Sequence, residues 1–200
     1  MAAHAAATEQ KGQLSNGMLG FILFLASEVM FFGGLFAAYF IARADSPVWP
    51  PALSPAQEAA GIELHLEFTL PFIATCVLIL SSVTMQMGVW AIQKGDRTAL
   101  IRWLFISIAL GLTFLTAQMY DYSQLPFSSG DTIYGTTFYT LTGFHGAHVA
   151  GGIIFMMVML VRSMGGQFSA SRHEAVEACS FYWHFVDVVW IALFTTLYIV

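Results

Sequence analysis

Five apolar stretches, each about 20 residues long or more and separated by short polar segments, leave this chain few ways to fold. They cover 17–41, 68–93, 99–118, 134–162 and 175–200. A helix rises 1.5 Å per residue, so each can cross a hydrocarbon layer roughly 30 Å thick. Only 10% of the 200 residues are charged, against about 25% in a water-soluble domain. None of the stretches shows the ten-residue apolar/polar alternation of a membrane β-barrel. The expected fold class is all-α: one bundle of five transmembrane helices over 17–200, preceded by a short cytoplasmic tail over 1–16.

Charge placement orients this bundle. Six of the seven Lys and Arg residues (Lys11, Lys94, Arg97, Arg102, Arg162 and Arg172) fall on one side if the amino terminus is inside, and only Arg43 falls outside. Cations concentrated in short loops mark the inner side, which places the carboxyl terminus outside. The first residues lack the charged start, apolar run and cleavage site of a secretory signal. The longest connection carries Pro47, Pro50 and Pro51, which resist helix, and is expected to lie extended along the outer interface. No basic patch suggests a nucleic-acid partner. Cys76 and Cys179 fall in opposite membrane halves, beyond disulfide reach, and read as packing residues.

Polar residues inside the apolar stretches are the candidates for function. Glu28 lies about a dozen residues into the first helix, near the bilayer midplane, with Phe24, Leu25, Phe31 and Phe32 one turn away. No cation shares that face, and an ionised carboxyl there costs roughly 3 kcal/mol or more, so the neutral acid is expected. It reads either as a hydrogen-bonded interface residue or as a proton-related site. The fourth stretch supplies His145 and His148. The fifth supplies Glu177, Ser180, His184 and Asp187 at three- and four-residue steps, one face of a helix. Inter-helix hydrogen bonds, with His148 and Asp187 at similar depths, are the simplest use of these groups. Gly143, Ala147 and Gly151 form a small-residue stripe suited to close helix packing.

Other chemistries fit less well. Two histidines and a carboxylate fall short of the repeated Glu-x-x-His units of a bundle metal site. His148 and His184 could instead clamp a haem between two helices, which would make the chain an autonomous membrane cytochrome. An independent proton-coupled transporter using Glu28 and Asp187 is a further alternative. No nucleotide-binding loop is present.

The stretches "SEVMFFGGLFAAYF", "TGFHGAHVAGG" and "YWHFVDVVWIALFTTLYI" resemble subunit III of the haem-copper respiratory oxidases, most closely the five-helix bacterial form of the cytochrome c oxidases. The likeness runs from about Gly17 to Val200. It implies a non-catalytic subunit of a proton-pumping oxidase that reduces oxygen to water. The haems and copper would then belong to partner subunits I and II, with no metal, cofactor or catalytic residue in this chain. The implied roles are to stabilise subunit I, bind structural phospholipid, sustain proton uptake and protect the oxygen-reduction site. The resemblance also accommodates membership of a larger respiratory supercomplex. Glu28 matches the family's carbodiimide-reactive glutamate, and His184 and Asp187 match its last-helix histidine and aspartate. The longer family form has two further helices at its start, so a complete lipid-holding cleft within this chain is not expected. Quinol oxidases, the alternative within the family, tend to carry aspartate at the Glu28 position and leucine at that of Val186. The expected location is the bacterial plasma membrane or another energy-transducing membrane.

Overall fold

The computed structural model describes residues 15–50 and 68–199. Their architecture is a bundle of five long helices: α1 (Asn16–Asp45), α2 (Thr69–Gln93), α3 (Arg97–Gln124), α4 (Ile133–Met164) and α5 (Glu174–Phe194). A π-helical turn, Thr195–Ile199, continues α5. All five are long and apolar enough to span a membrane. Of the expected amino-terminal tail, residues 1–14, Lys11 among them, lie outside the described residues, as do Pro51 and most of the proline-rich connection.

The helices outrun the predicted stretches, α1 by four residues and α3 by six at their carboxyl ends. Sequence hydropathy reports only the hydrocarbon layer, whereas a helix keeps its backbone bonded internally until a cap releases it into the headgroup region. The caps are local. Ser15 accepts from the Met18 amide at 3.1 Å, Asp96 from Ala99 at 2.9 Å, and Thr132 from Gly135 at 3.0 Å. The α2–α3 turn is only three residues long because Gly95 adopts φ 80°, open to a residue without Cβ.

One end of the bundle is basic. Ser15 at the start of α1 bonds to Glu174 at the start of α5 (2.9 Å), and Arg97 at the start of α3 lies against Gly166 in the α4–α5 connection. Lys94 and Arg172 share that end through the same connections. The other end carries the Tyr198–Asp121 bond (3.2 Å) and an aromatic knot in which the Trp49 indole donates to Tyr39 (3.0 Å) and packs on Tyr134.

The core sits among α2, α3, α4 and α5, around Trp183, which is wholly buried. A Cβ on Gly152 would come within 2.7 Å of its ring and one on Gly111 within 2.9 Å, so the indole occupies space that two glycines leave open. Its Nε1 donates to Ser81 at 2.9 Å, and the Trp190 Nε1 donates to Thr75 at 2.8 Å, fastening α5 to α2 twice. By contrast α1 buries only Phe32 and Tyr39 of its thirty residues, and packs on α4 and α5 at the margin.

The predicted stripe falls elsewhere than expected. Gly143 and Ala147 are exposed and nothing comes within 4 Å of a Cβ on Gly143, while Gly151 meets only the Tyr182 hydroxyl. Close approach inside the chain is made instead on the adjoining face of α4, at Gly146 beside Gln118 and at Gly152 beside Trp183. Cys179 is a buried packing residue, but Cys76 is exposed, because it sits on the outward arc of α2.

Candidate functional site: two polar contacts within the membrane

Glu28 is not alone. Its Oε2 lies 3.0 Å from Nε2 of His148, so α1 and α4 meet through a carboxyl and an imidazole. No cation on α1 shares the Glu28 face; the partner comes from a helix more than a hundred residues away. The other ring nitrogen, Nδ1, lies 2.6 Å from the Phe144 carbonyl. A carbonyl can only accept, so Nδ1 carries a proton and donates. Nε2 and Oε2 therefore hold a single proton between them, as carboxyl donating to imidazole or as imidazolium donating to carboxylate. The rings of Phe31 and Phe32 pack on the imidazole at 6.2 and 4.9 Å, and the Tyr182 hydroxyl donates to the His148 carbonyl at 3.2 Å. The pair is largely shielded, with side-chain exposures of 20% for Glu28 and 16% for His148.

The second contact is a seam between α2 and α5. Ser82 Oγ bonds Asp187 Oδ2 and lies 2.9 Å from His184 Nδ1. His184 Nε2 lies 3.2 Å from both Gln86 Oε1 and Ser180 Oγ. Toward the basic end the seam continues to Glu177, whose Oε1 accepts from Gln93 Nε2 at 3.0 Å and pairs with His173 at 3.2 Å. Asp187 is thus bonded to α2 rather than to His148, because α5 turns that face to α2 and its opposite side to α4. Asp187 Oδ1 is buried without a partner among the described residues.

His145 joins a third pair of helices. It is fully buried, its Nε2 donates to the Val186 carbonyl at 3.2 Å, and its ring lies against Trp190 at 4.9 Å and edge-on to Phe114 at 5.8 Å. His145, His148, His184, Asp187 and Glu177 thus each bridge two helices. A haem clamp between His148 and His184 does not match this geometry, since one imidazole faces α1 and the other faces α2. No three His, Cys, Asp or Glu side chains among the described residues converge as a metal-binding group. Sequence reasoning missed Ser82 and Gln86, although their four-residue spacing inside an apolar helix puts two polar groups on one face. It also missed the Trp183 socket, which no spacing reveals before the neighbours of α5 are known.

Helices of this length, with polar side chains spent on inter-helix bonds, define a polytopic α-helical membrane protein. A family model described as cytochrome c oxidase subunit III matches residues 3–200. Similar proteins include a probable cytochrome c oxidase subunit 3 of Nocardia farcinica, 45% identical over 186 residues that cover 91% of this chain and 87% of the relative. One of Mycobacterium tuberculosis H37Rv is 46% identical with the same coverage, and the cytochrome c oxidase subunit 3 of Synechocystis is 42% identical over 91% of this chain and 75% of its own length. The chain belongs to the cytochrome c oxidase subunit III family. It is accordingly a multi-pass plasma-membrane protein and part of an oxidase complex, working with other oxidase subunits.

Proposed function

We propose that this chain is a non-catalytic buttress of a proton-pumping cytochrome c oxidase. It stabilises subunit I, works beside subunits I and II as the holders of the haems and copper, binds structural phospholipid and sustains proton uptake toward the oxygen-reduction site, with its basic end on the inner side. The observation that carries this reading is the use made of its intramembrane histidines. Each imidazole is tied between helices, so these groups serve the packing of the bundle. The Glu28–His148 pair is the element best suited to a proton-related role, because its one shared proton sits at a partly shielded contact on the least-buried helix. Selective removal of this chain from the purified complex is expected to leave the haem spectrum intact while shortening the time for which the enzyme keeps turning over. An oxidase whose activity lasts equally long without it would contradict the proposal.

A further inference from the structure

Most polar side chains on the bundle's lipid-facing surface need nothing from outside. Ser27, Thr113, Thr116 and Thr140 each return their hydroxyl to their own helix, at 2.7–2.9 Å. The α2–α5 seam is different. Ser82, Gln86 and His184 are only half buried, and they lie between two apolar flanks, Ile79, Val83 and Trp90 on α2 and Phe181, Val188 and Ile191 on α5, all exposed. Gln86 stands seven residues before the end of α2, about 10 Å inside it, at a depth where lipid offers no hydrogen bond. Its Oε1 is met by Ser180 and His184, but its amide nitrogen, with two N–H groups, finds no acceptor among the described residues.

We propose that this face docks a transmembrane helix of another oxidase subunit, one that presents a hydrogen-bond acceptor to the Gln86 amide and apolar side chains to either side of it. The occupant follows from the chemistry. Acyl chains could cover the flanks but would strand the amide, whereas a helix bearing a hydroxyl, a carboxyl or a kinked backbone carbonyl satisfies both. Ser82 is bonded to both His184 and Asp187 across the seam, so the Gln86 amide is the donor left facing outward. The proposal rests on membership of the oxidase complex and adds which face makes the contact.

The test uses the assembled complex in its native membrane. The photoreactive residue p-benzoylphenylalanine is placed at Val83, beside Gln86, and in a separate variant at Leu112, on the lipid-facing side of α3. Illumination is expected to join Val83, and not Leu112, to a transmembrane peptide of a haem-bearing or copper-bearing subunit identified by mass spectrometry. Gln86→Leu is expected to lower retention of the chain in the complex under a detergent wash about three- to tenfold, with its level in the membrane unchanged. Adducts at Val83 to lipid alone, or to a second copy of this chain, in a complex that still co-purifies with its haem subunits would overturn the proposed face. Failure of the unaltered chain to co-purify with haem subunits would instead strike the oxidase reading beneath it.

Discussion

The Glu28–His148 contact and the Ser82–His184–Asp187 seam use the same kinds of group, a carboxyl and an imidazole, in opposite packing environments. The first ties α1, a marginal helix with two buried side chains, to the rest of the bundle. The second lies beside two buried indoles whose own hydrogen bonds already fix α5 on α2. Lipid tails are as apolar as leucine, so helices in a membrane gain little by merely touching. Where packing is thin, a polar pair becomes the attachment itself. Where packing is dense, it sets which residues of two helices face each other.

That difference orders the effects of substitution. The largest belongs to the dense region: Gly152→Ala drives a methyl into the Trp183 ring, which Ser81 and the close approach at Gly111 hold in place. Such overpacking costs about 2–3 kcal/mol, expected as a clear fall in the thermal midpoint of the detergent-solubilised complex; an unchanged midpoint would show that the ring can move aside. Asp187→Leu comes next. It removes one acceptor of the Ser82 hydroxyl while His184 remains, so a loss of about 1–2 kcal/mol is expected by the same measurement.

The thin region should respond less and more selectively. Glu28→Leu leaves His148 Nε2 without its partner and is expected to cost about 1 kcal/mol. Glu28→Gln is expected to stay close to the unaltered protein, because an amide N–H can donate to the imidazole as a neutral carboxyl does. Equal losses from the two substitutions would mean that the contact depends on an ionised carboxylate, and would move the shared proton onto His148.

Much of this was legible in the sequence, for physical reasons that differ by feature. The five spans follow from length and apolarity alone, since a backbone in hydrocarbon must bond to itself. The clustering of cations at one end followed from where Lys94, Arg97, Arg162 and Arg172 fall between spans. His145, His184 and Asp187 could be read as inter-helix groups because an unbonded polar side chain is too costly at that depth. Their partners could not. Periodicity describes one helix at a time, so it sees Phe24 and Phe31 beside Glu28 but not His148, which arrives through the packing of α1 on α4. The same limit explains the stripe at Gly143 and Ala147: small residues permit a close approach, but the size of Trp183 decides that Gly152 and Gly111 receive it. The oxidase kinship came from motif resemblance; the chemistry of the residues by itself ends at a five-helix membrane bundle with a polar interior.

We propose that this chain braces the haem-bearing subunits and holds none of their redox chemistry. The most direct measurement is the optical spectrum of the chain produced alone in membranes supplied with haem, compared with that of the assembled complex. No Soret absorption is expected from the solitary chain, and the full haem spectrum is expected from the complex. A Soret band travelling with the solitary chain, and lost on His148→Ala or His184→Ala, would contradict it.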